Sequence, residues 1–468
     1  MREFVHHIHM VGIGGAGMGG IAEVLIKQGY SVSGSDLGEN SVTKRLADMG
    51  ATLHHGHLAG HIGKADVVVV SSAIADNNVE SVAARAAGIP VIPRAEMLGE
   101  LMRFGHGIAI AGTHGKTTTT SLVAAILAEA GLDPTFIVGG LVNSVASNAR
   151  HGEGGYLVAE ADESDASFLH LQPLLAVVTN IDADHMETYQ HDFAVLEQAF
   201  EDFLHNLPFY GLAILCMDDP VVQRLSERLH RQIVSYGSIE SASFRAFDIL
   251  QEGTNMMFSV DRPGSSAPIN VTLALPGFHN VLNATAAIAV AHQLKVSDQA
   301  ITKALKEFSG IGRRMQRYGN LKLGDGPVFE LVDDYAHHPR ELDATLQGAR
   351  GAWPERRLVP IFQPHRYSRT QNLFDDFVEL LADVDPLIIT EVYPAGEAPI
   401  SAADGRALCR SIRKRGKCDP IFVENLAGLQ DVLESVVREG DLVLTLGAGD
   451  IGRAAQRLAA DNQVEGQE

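Results

Sequence analysis

Twice along the chain an apolar run of strand length breaks into glycine and resumes as a helix. Val5–Val11 leads into Gly12-Ile13-Gly14-Gly15-Ala16-Gly17, and the helical pattern Met18–Gln28 follows, ended by Gly29. Gly107–Ala111 leads into Gly112-Thr113-His114-Gly115, and a second helix is predicted from Lys116 to Ala130. A strand, a tight glycine turn and a returning helix favour parallel sheets covered by helices and strongly restrict the choice of fold. In such sheets ligands sit at the C-terminal ends of the strands. Further predicted strands are Tyr30–Ser35, Val67–Val70, Tyr156–Ala159, Leu174–Thr179 and Leu212–Met217. A third series, Val328–Val332, Leu358–Phe362, Leu387–Thr390 and Leu442–Leu446, follows Arg313 and Arg314. The predicted boundaries fall near residues 105 and 312, giving three α/β segments: 1–105, 106–312 and 313–468.

A chain of 468 residues is too long for one core, which agrees with this division. Its net charge of −21 argues against nonspecific binding to nucleic acid or an anionic membrane. The three cysteines, Cys216, Cys409 and Cys418, lack metal-site spacing and suit a reducing compartment. The N-terminal apolar stretch is broken by histidine and glycine, so neither a signal peptide nor a membrane span is expected. A cytoplasmic location follows as the expectation.

Gly12, Gly14 and Gly17 form G-x-G-x-x-G, with Asp36 at the end of the next strand. Glycine lets the backbone approach a pyrophosphate, and the helix N-terminus offers amide donors. The acid can bind a ribose hydroxyl or another donor on the nucleoside. The pattern does not single out NAD, because UDP-sugars also carry a pyrophosphate and a ribose. Ser71 and Ser72 close the Val67–Val70 strand and either face the same crevice or cap the next helix.

The second loop carries Lys116 and Thr117 at the helix start, in the manner of a phosphate-binding loop. Its amides can cradle phosphates, its lysine can neutralise β/γ oxygens, and its threonine can bind Mg²⁺. Ile110 stands where the usual pattern has its first glycine, so the loop is a shortened variant. A lysine at a helix N-terminus opposes the helix dipole and calls for an anion. Two strand ends supply acids and a histidine: Glu160-Ala161-Asp162-Glu163-Ser164-Asp165 and Asn180-Ile181-Asp182-Ala183-Asp184-His185. Glu160 and His185 are the candidates for Mg²⁺ coordination beside ATP. Taken alone, Arg366 and Arg369 read as surface charges. The late turn Gly447–Gly452 reads as a close-packed loop at a crevice, not a second dinucleotide site.

GTHGKTTTT, EADESD and TNIDADHM, in this order after a separate nucleotide-binding segment, resemble the Mur ligase family. The likeness continues through HNVLNA (279–284), GRRMQ (312–316), DDYAHHP (333–339) and QPHRYSR (363–369). It implies an α/β fold of three domains: a Rossmann-like N-terminal UDP-substrate domain, a central P-loop ATPase-type domain, and a Rossmann-like C-terminal amino-acid domain. It implies ATP and Mg²⁺, and an ATP-dependent ligation of L-alanine to the lactyl carboxylate of UDP-N-acetylmuramate. UDP-substrate contacts are then expected from Gly12, Gly14, Gly15, Gly17, Asp36 and Ser71. ATP contacts are expected from Gly112, Thr113, His114, Gly115, Lys116, Thr117, Thr118, Asn280, Asn283 and Arg314. Thr117, Glu160 and His185 would be metal ligands, and Lys116, Glu160, His185, Arg314 and Asp334 the catalytic set. His337, Arg366 and Arg369 would form the amino-acid end, where arginine suits a carboxylate. Several family members use a carbamylated lysine in the central domain, but no lysine lies between Lys116 and Lys295 here. A monomer and a homodimer both remain open. The alternatives are a murein tripeptide ligase, whose acidic motif is expected to differ, and an NAD-dependent dehydrogenase, which leaves the second loop without a role. A noncatalytic nucleotide-binding regulator leaves the acidic, histidine and arginine sites unexplained.

Overall fold

The structure is a computed structural model that describes residues 1, 3–103, 105–143 and 147–464. It forms two compact units, one of residues 1–248, 258–272 and 281–309, the other of residues 249–257, 273–280 and 310–468.

Three sheets run through the chain. The first has five parallel strands in the order Thr52–His55, Ser31–Asp36, His7–Val11, Val67–Val70, Val91–Pro93. Its order reverses direction beside His7–Val11, so a crevice opens at the end of that strand, where Gly12 begins the first loop. Helix Ala16–Lys27 follows, starting two residues earlier than its apolar pattern suggests.

The second sheet centres on Leu175–Val178, His106–Ala111 and Tyr156–Glu160, which pair in parallel. Leu212–Cys216 and Gln232–Gly237 extend it on one side, and Thr135–Val142 and Ser147–Arg150 on the other. In this sheet Thr135–Val142, Ser147–Arg150 and Gln232–Gly237 were not expected from sequence, nor were Phe244–Glu252, Asn255–Asp261 and Ile269–Leu273, which continue it beyond Gln232–Gly237. The residues of these last three alternate between buried and exposed, unlike the fully buried central strands.

The first two sheets share one unit because helix Ala16–Lys27 packs directly on the second sheet. A Cβ on Gly20 would lie 2.9 Å from the Ala149 Cβ, so glycine permits that approach. Asn148 Nδ2 donates to the Ala16 carbonyl at 2.6 Å. One apolar core runs through both, from Ile8, Ile21 and Leu25 to Ala109, Val178 and Phe200.

The third sheet lies in the second unit, in the order Gln316–Lys322, Val328–Asp334, Leu442–Leu446, Leu358–Phe362, Ile388–Thr390, Ile421–Val423. Only its first pair is antiparallel. Val332, Phe362 and Leu444 face one apolar layer, and Leu331, Ile361 and Val443 face the other, as the two-residue strand period requires.

Candidate active site

The first loop is tied to its neighbours by side chains from the next strand. Gly12 has φ +78°, a conformation that glycine adopts freely, and a Cβ there would lie 3.2 Å from the Ser71 Cβ. The Asp36 carboxylate accepts from Gly14 N at 2.8 Å and from Gly38 N at 3.2 Å. Asn40 Nδ2 donates to the Gly14 carbonyl at 3.0 Å while its Oδ1 caps helix Ser41–Asp48. A Cβ on Gly17 would lie 3.1 Å from Arg94 Nη1. A guanidinium thus stands beside the glycine turn and the helix start, where a pyrophosphate is best received. Neither Arg94 nor Asn40 was found from the sequence. The usable signal for Arg94 was its place just after Val91–Pro93, at the ligand-bearing end of the sheet. Ser71 does not cap the following helix: Asn78 does, accepting from Glu80 N at 2.9 Å.

Behind this loop lies a polar cluster also missed from sequence. Glu80 is fully buried and accepts from Ser35 Oγ at 2.5 Å. His57 Nδ1 and His61 Nδ1 lie 3.3 and 2.9 Å from its carboxylate, and His9 Nε2 lies 3.7 Å away. Burial alone would raise its pKa, but the nearby His9 imidazole and the hydrogen bond from Ser35 outweigh that and hold it down at about 2.

The second loop is bound at its back by the strand end Thr179–Asp182. Thr179 Oγ1 donates to the His114 carbonyl at 2.6 Å, and Asn180 holds His114 through both its N–H and its carbonyl. Asp182 N donates to Thr113 Oγ1 at 2.9 Å. Gly112 has φ +129°, and a Cβ there would sit 2.0 Å from Thr179 Oγ1; Gly115 has φ +83°, and a Cβ there would sit 2.5 Å from Asn283 Oδ1. Both glycines are therefore required by space as well as by backbone conformation. Asn283 Oδ1 also accepts from Thr119 Oγ1 at 3.2 Å, which places this residue against the loop. Asn280 is buried and donates to the Pro276 carbonyl at 2.8 Å.

Lys116 and Thr117 open the helix, and each meets a carboxylate. Lys116 Nζ lies 2.7 and 2.9 Å from the two Glu163 oxygens and 2.7 Å from the Gly112 carbonyl. The Glu160 carboxylate accepts from Gly139 N at 2.8 Å, and the nearby Thr117 side chain favours its charged form. Burial raises the Glu160 pKa despite these neighbours and Lys116. A half-buried carboxylate whose charge is disfavoured, beside a hydroxyl, is a hard oxygen donor set suited to Mg²⁺. His185 has φ +53°, and its Nε2 lies 3.5 Å from Asp184 Oδ2.

In the second unit the Val328–Asp334 strand ends at a buried carboxyl. Asp334 accepts from Met315 N and Ala336 N at 2.8 and 2.9 Å; burial raises its pKa to about 6 against the pull of Arg314. Arg314 lies 5.3 Å from the Tyr335 ring centroid. Burial and the Arg314 charge lower the His279 pKa to about 4, so its imidazole is neutral at pH 7. The neighbouring Arg313 is differently used: it pairs with Asp333 at 3.0 Å and donates to the Gly447 carbonyl, pinning the late glycine turn. That turn is tightly packed, since a Cβ on Gly449 would lie 2.4 Å from Gln363 Oε1.

The two arginines expected at the amino-acid end part company. Arg369 is buried, with Nη1 3.3 Å from His365 Nδ1, so it is no surface charge. Arg366 is partly exposed, has φ +69°, and lies 3.7 Å from Glu397. His365 joins His337 at 5.7 Å between ring centroids and stacks on Tyr393 at 5.5 Å. His337, His365, Arg369 and Tyr393 thus form one group.

Models of the Mur ligase family match three successive stretches: the catalytic domain at residues 7–106, the middle domain at 110–291 and the glutamate ligase domain at 313–449. The chain belongs to the Mur ligase family. It is 58% identical over 465 residues to the UDP-N-acetylmuramate–L-alanine ligase of Azoarcus sp., covering 99% of this chain and all of that protein. Among solved structures, the UDP-N-acetylmuramate–alanine ligase of Thermotoga maritima matches with a TM-score of 0.80 and 30% identity, over 97% of this chain and 98% of that one. A murein peptide ligase of Psychrobacter arcticus matches with a TM-score of 0.69 and 27% identity, over the same shares of the two chains. Within this Mur ligase chain the expected phosphate-loop residues Lys116, Thr117 and Asn283 gather at one strand end with Glu160.

Proposed function

We infer that this chain is an ATP-dependent ligase joining L-alanine to the lactyl carboxylate of UDP-N-acetylmuramate, a step of peptidoglycan synthesis. The observation that carries this reading is the second loop: a cation at a helix start, flanked by the Thr117–Glu160 pair, in a chain with a separate glycine turn for a pyrophosphate. The first loop explains a UDP group and the second an ATP, so a dehydrogenase that needs only one is disfavoured. Full-length similarity to L-alanine ligases favours alanine over the murein tripeptide.

On this reading residues 1–105 bind the UDP-substrate, 106–312 bind ATP, and 313–468 bind the amino acid. The lactyl carboxylate attacks the γ-phosphorus of ATP, ADP leaves, and an acyl phosphate forms. The alanine amine then attacks the acyl carbon, a tetrahedral intermediate collapses, and phosphate leaves with the C–O bond that breaks. Phosphorylation supplies the leaving group that a carboxylate lacks. Lys116 neutralises β/γ oxygens, and the loop amides orient them. Mg²⁺, held by Thr117, Glu160 and His185, would supply further neutralisation of phosphate charge. Within the second unit Arg314 is the cation beside Asp334 and Tyr335, the charge this reading assigns to ATP. Arg369, with His337 and Arg366, receives the alanine carboxylate. The amine proton goes to His337, because a His185 that binds Mg²⁺ through one ring nitrogen carries its proton on the other and cannot accept a second. No helix among the described residues is long and apolar enough to cross a membrane.

The test is ADP release measured with UDP-N-acetylmuramate and a panel of acceptors: L-alanine, glycine, L-serine and murein tripeptide. ADP should appear only when UDP-N-acetylmuramate and an acceptor are both present, and fastest with L-alanine. Faster turnover with the tripeptide, or hydride transfer to NAD without ADP release, would overturn the assignment.

A further inference from the structure

The loop lysine is already engaged. Both Glu163 oxygens contact Lys116 Nζ, at 2.7 and 2.9 Å, and the Gly112 and Thr113 carbonyls complete its surroundings at 2.7 and 3.2 Å. A lysine so held cannot at the same time place its charge fully on a nucleotide. One partner must let go, and the two differ in freedom. The Glu163 main chain is anchored: its carbonyl accepts from Ala166 N at 3.0 Å and from the buried Tyr189 hydroxyl. The turn before it is fixed by Asp162 Oδ1, which accepts from Ser164 N at 3.0 Å. Lys116 has a four-carbon stem with rotatable donors, so it is the member that moves.

With the ATP-binding role of this loop taken from the reading above, we propose that Glu163 is the positioning residue of Lys116, holding its ammonium against the loop until nucleotide phosphates take it over. Glu163 is distinct from Glu160, whose carboxylate faces Thr117 and Gly139 instead. The pairing also answers the electrostatic problem of the loop. A lysine at a helix start opposes the dipole, and a buried carboxylate in contact with it offsets that repulsion. Burial pushes the Glu163 carboxyl up to about 7 even beside Lys116, so its ionised form depends on that partner. When Lys116 leaves, Glu163 is left as a buried acid in a poorly solvated place, which biases the lysine to return after product release.

The proposal predicts a division between binding and turnover. In Glu163→Gln the competing charge is gone, so more of the protein has Lys116 ready for nucleotide. A non-hydrolysable ATP analogue with Mg²⁺ should then bind tighter by up to about tenfold, in calorimetric titration of the full chain. Turnover should fall about tenfold or more, because Lys116 is no longer set in place between cycles. A merely structural role would weaken both. Unchanged or weaker analogue binding, in a variant with a parental unfolding temperature, overturns the proposal. If Glu163→Gln does not fold, Glu163→Asp serves in its place. Its shorter side chain cannot reach Lys116 with both oxygens, so tighter binding is again expected and equal or weaker binding overturns the proposal. A parent chain that binds no analogue would overturn the ATP reading itself, and this proposal with it.

Discussion

The two glycine loops share one chain order of strand, turn and helix, yet they solve opposite electrostatic problems. In the first, helix Ala16–Lys27 starts after Gly15 in extended conformation, with φ −66°, and no side chain caps it. The loop holds no cation of its own; Arg94 reaches it from another element, and a carboxylate, Asp36, secures its middle amide. In the second, helix Lys116–Glu129 starts after Gly115 in left-handed conformation, with φ +83°, and again no side chain caps it. Its cation is built into the first helical position and needs Glu163 as a partner. The first loop is thus a prepared anion cradle, and the second a cradle whose own charge must be released before use. This difference matches a substrate held through its pyrophosphate in one place and a phosphoryl donor activated in the other.

The largest effect that would break this comparison comes from Lys116→Ala. ADP formation should fall on the order of a thousandfold, the size expected when one principal charge stabiliser is removed. UDP-N-acetylmuramate binding, measured by titration, should stay within about twofold, because Lys116 has no part in the first loop. Equal loss of both activities in a folded variant would mean that the loops are not separate sites.

A smaller effect sharpens the first half of the comparison. Glu80 supports Ser35, the neighbour of Asp36, and its carboxylate is held at about 2 against an ordinary value of 4.5. A depressed folded-state pKa contributes stability that is complete above the unfolded value and is lost as pH falls through the folded one. The shift corresponds to about 3 kcal/mol. Parent and Glu80→Ala should therefore differ most in unfolding temperature near pH 7, and the gap should narrow between pH 5 and pH 2. A gap that stays constant with pH would show that the glutamate contributes by packing alone.

Legibility from sequence followed burial and distance along the chain. Val67–Val70, Leu358–Phe362 and Leu442–Leu446 were readable to the residue, because central parallel strands are apolar runs buried on both faces. Phe244–Glu252 was not, because its residues alternate and one face is open. The loop motifs themselves were plain, since glycine and lysine there answer local demands. Their partners were not. Glu163 stands 47 residues from Lys116, and Asp182 stands 69 from Thr113; only the fold closes those gaps. Ser71 shows the same limit at short range, because the helix it was free to cap begins later, behind Asn78. Arg369 looked like a surface charge until the stacked His365 and Tyr393 placed it in the interior.

The most direct test of the central claim follows the oxygen atoms. UDP-N-acetylmuramate is prepared with ¹⁸O in both oxygens of its lactyl carboxylate and turned over with ATP and L-alanine, and the released phosphate is examined by mass spectrometry or ³¹P NMR. If the carboxylate attacks the γ-phosphorus to give an acyl phosphate, each phosphate formed carries one ¹⁸O from the substrate. Phosphate free of the label, with the amide product formed at the same rate, would contradict the account.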